Sequence, residues 1–152
     1  MIIREVNIND IDAWSEMRTA LWPDTDDNHL SEITQYFNGQ SIDIVQAYIA
    51  EFDGHIIGFI ELNLRNFAEG SLNSKVPYIE GWYIKPEYQG KGFGKQLMLY
   101  AEKWAISKGF SELASDTEVT NEKSINMHKH MGFMETERIV CFLKKIKEYL
   151  EK

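Results

Sequence analysis

Residues 83–95 constrain the fold more than any other stretch: Tyr-Ile-Lys-Pro-Glu-Tyr-Gln-Gly-Lys-Gly-Phe-Gly-Lys. A β-rich run over 78–84 is stopped by Pro86, and glycines follow at 90, 92 and 94. Phe93, Leu97, Tyr100 and Trp104 then fall at i, i+4, i+7 and i+11, which predicts a helix over 93–108 ended by Gly109. A strand thus runs through a glycine-rich turn into a helix. Glycines let backbone N–H groups approach a ligand closely. The helix N-terminus adds unpaired donors and the positive end of its dipole. Together these make an anion site suited to a pyrophosphate. The spacing does not fit a Walker A loop, because Lys95 is followed by Gln96, nor a dinucleotide G-x-G-x-x-G turn. It reads Gln-x-x-Gly-x-Gly, as Gln89, Gly92 and Gly94. Taken alone, such a turn is also a tight strand-to-helix connection.

The rest of the chain surrounds that unit with short elements. Residues 2–6 read as a strand. Asn9 or Asp10 can cap a helix reaching Leu21, broken by Trp22-Pro23-Asp24. A second helix is predicted over 29–37, ended by Asn38-Gly39. Strands over 42–51 and 56–64 flank the turn Asp53-Gly54 and read as a hairpin. Residues 66–75 are a polar loop. After the long helix come a strand over 113–116, a helix over 121–131 closed by Gly132, and two strands within 133–146. The order β-α-α-β-β-β-α-β-α-β-β predicts an α/β chain with a mixed sheet and one domain over 1–152.

The formal charge is −8, from 24 acids and 16 bases. This argues against nucleic acid, which needs a basic face. It suits a cationic ligand if the acids gather at a cleft; otherwise it is a solvated acidic surface. Cys141 is the one cysteine, so no internal disulfide forms, and it reads as a small core residue. No apolar run is long enough to span a bilayer, no signal pattern opens the chain, and no side-chain cluster has metal-ligand spacing. A cytoplasmic protein without membrane or metal is expected. His55 reads as an exposed turn residue, and His29 carries no clear signal.

Gln89-x-x-Gly92-x-Gly94, after a strand ending Ile84-x-Pro86, resembles the acyl-CoA signature of the GNAT N-acyltransferase superfamily. Asn121-x-x-Ser124-x-x-Met127-His128-x-x-x-Gly132-Phe133 resembles its last helix and following strand. The resemblance implies the GNAT fold, a mostly antiparallel sheet with splayed central strands flanked by helices. It implies acetyl-CoA as co-substrate and direct attack of an amine on the thioester. Trp82, Tyr83 and Ile84 would then bond the pantetheine arm and offer an oxyanion donor. Gln89, Gly90, Lys91, Gly92, Phe93, Gly94 and Lys95 would cradle the pyrophosphate, and Asn121 would bind pantetheine. His128 stands where many members carry the tyrosine assigned to protonating the departing thiolate. Histidine can deliver that proton near neutral pH, and it can equally be a packed helix residue.

A narrower resemblance, to the aminoglycoside 6′-N-acetyltransferases, rests on five segments. They are Leu21-Trp22-Pro23, Asp-Asp-x-His-Leu over 26–30, Glu80-Gly81, Ala114-Ser115-Asp116-Thr117, and Gly132-Phe133-x-Glu135-Thr136-Glu137-Arg138. It places substrate contacts on Trp22, Phe67, Glu80, Asp116 and Glu137, with Phe67 replacing a usual tyrosine. It implies an enzyme of antibiotic resistance and a homodimer, through the C-terminal strands. A ligand with several ammonium groups needs carboxylates from separate elements. Glu80 or Asp116 could also take the proton that the amine must lose. A solvated strand-edge role for Glu80 and a helix cap for Asp116 are the structural alternatives. Acetylation of a polyamine or a protein amine, and a non-catalytic acyl-CoA sensor, are the functional ones.

Overall fold

A two-residue turn organises the sheet. Asp53 and Gly54 both take positive φ, 52° and 78°, the turn that matches the twist of a hairpin. It joins β2 (Gln46–Phe52) to β3 (His55–Arg65) in the computed structural model, which describes residues 1–23 and 28–147. β1 (Ile2–Glu5) pairs with β2 and β4 (Val76–Ile84) pairs with β3, so one antiparallel sheet runs β1-β2-β3-β4.

Helices cover both faces. α1 (Ile11–Leu21) and α2 (His29–Phe37) bury Trp14, Met17 and Ile33 against Ile49 and Phe59. Trp14 and Ile33 are fully buried, each such side chain contributing about 2 kcal/mol by area. Tyr48, one residue along and so on the opposite face, meets Tyr100 of α3 (Phe93–Ser107) with ring centroids 5.6 Å apart. α3 buries Leu97, Met98, Ala101 and Trp104. The start of α1 departs from expectation: Asn7 caps a 3₁₀ turn over Ile8–Asp10, and Asp10 is drawn to Arg4 instead. The Arg4 guanidinium holds the Asp10 carboxyl below its ordinary range.

Two bulges shape the site. Glu61 opposes Gly81 while Leu62 opposes Ile79, so Glu80 is the extra residue on β4. Likewise Glu51 opposes Ile56 while Ala50 opposes Gly58, making Ile57 the extra residue on β3.

Three expected elements change. The strand expected over 42–51 begins at Gln46, because Ser41 Oγ accepts from the N–H groups of Asp43 and Ile44 and folds 41–44 into a turn. The strand expected over 113–116 is a single parallel bridge, Tyr78 to Ala114. Its two hydrogen bonds, both 2.9 Å, end at Ile79, just before the β4 bulge. Residues 133–147 form no strand; Ile139, Val140, Phe142 and Leu143 are exposed, and so is Cys141, which is not a core residue. Their apolar run lacks the alternation that fixes a face, and a lone hairpin is marginal without one to bury.

Residues 1–116 and the residues from 117 onward form two compact units. In the second, α4 (Glu122–His130) is capped by Asn121, whose Oδ1 accepts from Ser124 N at 3.1 Å. Among the described residues no helix is long and apolar enough to cross a membrane.

Candidate active site

The glycine turn is a backbone site. Gly90 and Gly92 have φ of 78° and 83°, and nothing lies within 4 Å of where a Cβ would point. Gln96 N–H makes the first bond of α3, to Gly92 O at 3.2 Å. The N–H groups of Phe93, Gly94 and Lys95 precede it and face out of the helix end. Lys91 and Lys95 add positive charge beside them. Gln89 turns inward, its Nε2 donating to Ile84 O at 2.9 Å and tying the turn to the end of β4. Trp82 Nε1 donates to Gly94 O at 3.1 Å, fastening the same strand to the helix start. β4 is an edge strand: past the Ala114 bridge no further strand among the described residues pairs with it. An open edge beside an anion site suits a ligand with an extended amide arm and a phosphate end.

The acceptor side is made of side chains. Trp22 follows α1, and its ring rests on Gly81, where a Cβ would lie 2.8 Å from Trp22 Cη2. The ring stacks with His29 at 6.1 Å and lies under the Arg18 guanidinium at 5.1 Å. These groups border a cavity of about 380 Å³ lined by Arg18, Trp22, Glu32, Asp43, Glu61 and Glu80 among others. Of its twelve lining residues four are acidic and one is an arginine, so the cavity favours a cation. Arg18 bonds Glu32, and its Nε lies 3.3 Å from the buried Glu61 carboxylate, which also accepts from Trp14 Nε1 at 2.8 Å. Burial pushes Glu61 up to about 7, against the opposing pull of Arg18 and Trp14.

A side-chain relay joins Glu80 to Asp116. The Glu80 carboxylate accepts from Arg65 Nη2 at 2.7 Å, Arg65 Nε at 2.8 Å and Asn63 Nδ2 at 2.9 Å. The Arg65 guanidinium carbon sits 3.6 Å from the Tyr78 ring centroid. The Tyr78 hydroxyl donates to Asp116 Oδ2 at 2.7 Å, and burial together with that bond raises its pKa. Asp116 therefore does not cap α4; Asn121 does.

Trp22 and Glu80 share the cavity, and Asp116 connects to it through Tyr78 and Arg65. Phe67 is exposed in its loop and does not line the cavity. His55 is exposed at its turn. Asp24, Asp26 and Asp27 lie outside the described residues. Asn121, His128 and Glu137 belong to the second unit. There, His128 Nδ1 donates to Ser124 O at 2.7 Å, and its ring meets Phe133 edge-on. In the neutral imidazole this bond places the acceptor lone pair on Nε2. Arg18, Glu32, Asp43, Glu61, Arg65 and Tyr78 are absent from the expected site. The available signal was the polar series Glu61, Asn63, Arg65 at alternate positions of an otherwise apolar strand.

Comparison with known proteins adds to this geometry. Residues 11–133 match the acetyltransferase (GNAT) family. An aminoglycoside N(6′)-acetyltransferase type 1 from Klebsiella aerogenes is 39% identical, over 94% of this chain and 95% of its own. One from Stenotrophomonas maltophilia is 39% identical over 92% and 90%. The crystal structure of an aminoglycoside antibiotic 6′-N-acetyltransferase from Acinetobacter haemolyticus, in its apo form, is similar with a TM-score of 0.87 at 32% identity, covering 97% of this chain and all of that one. The structure of AAC(6′)-Iy with the bisubstrate analog CoA-S-monomethyl-acetylneamine is similar with a TM-score of 0.86 at 33% identity, covering 95% and 98%.

Proposed function

This chain belongs to the GNAT acetyltransferase family and, within it, to the aminoglycoside N(6′)-acetyltransferases, and we propose that it transfers an acetyl group from acetyl-CoA to the 6′-amine of aminoglycoside antibiotics, conferring resistance. The observation that carries this reading is the acidic cavity walled by Trp22 and by Glu80, the latter on the strand that runs into the glycine turn.

The roles follow from what each group can do. The N–H groups at the start of α3, with Gly90, Gly92, Gly94, Lys91 and Lys95, hold the pyrophosphate. Gln89 and Phe93 fix that turn, one by its bond to Ile84 and the other by burial beside Phe52. The backbone of Trp82, Tyr83 and Ile84 bonds the pantetheine arm, and one N–H there faces the thioester oxygen as charge develops on it. Trp22 offers its ring to a sugar face. Glu80 and Asp116 hold ammonium groups and take the proton that the reacting amine sheds, directly or through water. The amine then attacks the thioester carbon, giving the amide and free CoA. His128, when it carries a second proton, gives its Nε2 proton to the departing thiolate; Asn121, besides capping α4, meets pantetheine; Glu137 and Phe67, the latter exposed outside the cavity, are assigned to the acceptor side by family resemblance.

Residues 1–152 act as one acetyltransferase domain, supported by a family match that runs through both units. A homodimer formed through the C-terminal segment is supported by the exposed Ile139, Val140, Phe142 and Leu143. A cytoplasmic location fits the lone Cys141 and the supply of acetyl-CoA.

Release of CoA thiol from acetyl-CoA across a panel of amines tests the function. Turnover is expected with tobramycin and kanamycin, and not with spermidine or peptides. Preference for spermidine or a peptide would point to another acceptor. Binding of acetyl-CoA without turnover of any amine would point to a sensor.

A further inference from the structure

We propose that Arg65 is a resident cation that occupies the Glu80 carboxylate until a substrate ammonium replaces it, so that Arg65 sets how tightly the acceptor binds. The inference rests on the aminoglycoside reading above and concerns a residue that reading does not use.

Three donors already hold Glu80: both arms of the Arg65 fork at 2.7 and 2.8 Å, and Asn63 Nδ2 at 2.9 Å. An ionised carboxylate has about four acceptor positions. Three are taken, so an arriving ammonium meets a bidentate ion pair and not a bare anion, and to make more than one bond it must compete with the guanidinium. Arg65 is placed to yield. Its side chain is 39% exposed against 17% for Glu80, so water can solvate it as it leaves. Its guanidinium also lies 3.6 Å from the Tyr78 ring centroid, a cation–π contact that survives rotation of the fork away from Glu80. Asn63 stays on the carboxylate and keeps it aimed after the exchange. The charges fit the same scheme. Glu80 and Asp116, linked through Tyr78, supply two negative charges, and Arg65 matches one of them. One further positive charge balances the group.

Arg65→Gln removes the competitor and leaves Asn63 to orient Glu80. KM for tobramycin is expected to fall about fivefold, the size of a part-exposed ion pair, with kcat changed less. KM should also rise more steeply with ionic strength than in the unsubstituted enzyme, because the ammonium then neutralises an uncompensated carboxylate. A residue that merely props Glu80 in place would not steepen the salt dependence. Arg65→Lys keeps the charge without the fork and should lie between the two. If Arg65→Gln does not fold, Arg65→Lys decides by the same sign of KM change. An unchanged or raised KM, with tobramycin still turned over by the unsubstituted enzyme, overturns the role of Arg65 alone. No turnover of tobramycin by the unsubstituted enzyme overturns the acceptor reading, and this inference with it.

Discussion

From Gln89 to Lys95 the groups that face a ligand are backbone N–H groups, whereas in the acceptor cavity they are side chains. The turn is held by two local bonds, Gln89 to Ile84 and Trp82 to Gly94, both within residues 82–94 of one strand-turn-helix unit. The cavity draws Arg18 from α1, Trp22 from just after it, Glu32 from α2, Asp43 from a loop, and Glu61 and Glu80 from two strands. A backbone site tolerates change in its side chains but not in its dihedrals. A side-chain site tolerates change in its backbone composition but not in its charge balance. Substitutions on the two sides should therefore fail in different ways.

The largest effect is expected at Gly92. Its φ of 83° strains a β-branched residue by about 1–3 kcal/mol, and relief of that strain moves the N–H groups. Gly92→Val should bind acetyl-CoA about 100-fold more weakly by calorimetry while keeping its circular dichroism, two tenfold steps of about 1.4 kcal/mol each. Gly92→Ala should lose less. Unchanged binding by both would break the contrast, because dihedrals would then not matter at the turn.

Asp116→Asn comes next and is the matching test on the side-chain side. It keeps an acceptor for the Tyr78 hydroxyl and removes one negative charge. kcat/KM with tobramycin should fall by about 30-fold, less than the roughly 100-fold or more of a lone general base, because Glu80 shares the role. The melting temperature should hold, because Asn121 caps α4. A lower melting temperature with full activity would assign Asp116 to structure.

Glu61 separates charge from function at the cavity floor. Burial raises its pKa from 4.5 to about 7, so the folded state holds this proton more tightly than the unfolded chain. The stability it contributes is complete below pH 4.5 and is lost as pH rises through 7. Glu61→Gln removes that loss, so its stability relative to the unsubstituted protein should improve by about 2–3 kcal/mol across this window. Asp10, with its lowered pKa, acts in the opposite sense and only at more acid pH. Urea melts at pH 5, 6, 7 and 8 read the difference, and parallel curves would contradict it.

The smallest effect is expected at Gly81. A Cβ there meets Trp22 Cη2 at 2.8 Å and Phe59 at 3.3 Å, so Gly81→Ala pushes the indole into the cavity. KM for tobramycin should rise about three- to tenfold, well under the roughly 100-fold cost of misplacing the reacting atoms by an ångström, because the ring contacts a sugar face and not the reacting amine. Acetyl-CoA affinity should not change.

The same contrast explains what the sequence made legible. The helix over 29–37 and the turn at Gly90 and Gly92 depend on neighbours within a few residues, so glycine placement and helical spacing reported them. The bulge at Glu80 depends on how β4 registers with β3, and no local signal marks it. The strand expected over 113–116 reduces to one bridge for the same reason, since its pairing stops where that bulge begins. Trp22, Glu80 and Asp116 were named through family resemblance. Arg65 and Tyr78, which join them, were visible only as polar and aromatic residues alternating along strands whose faces the sequence leaves open. Residues 139–143 show the limit: a continuous apolar run predicts burial without saying against what.

The proposed acceptor is the 6′-amine. Reactivity depends on which nitrogen the carboxylates hold beside the thioester carbon. Paromomycin, with a 6′-hydroxyl in place of the amine, keeps other ammonium groups as handles but presents a poorer nucleophile. Tobramycin and paromomycin should be compared for CoA release, with the acetyl group located by NMR. Acetylation of tobramycin at the 6′-nitrogen alone, with paromomycin binding as an unreacted inhibitor, is the predicted result. Equal turnover of paromomycin, or an acetyl group on another ring nitrogen, would contradict it.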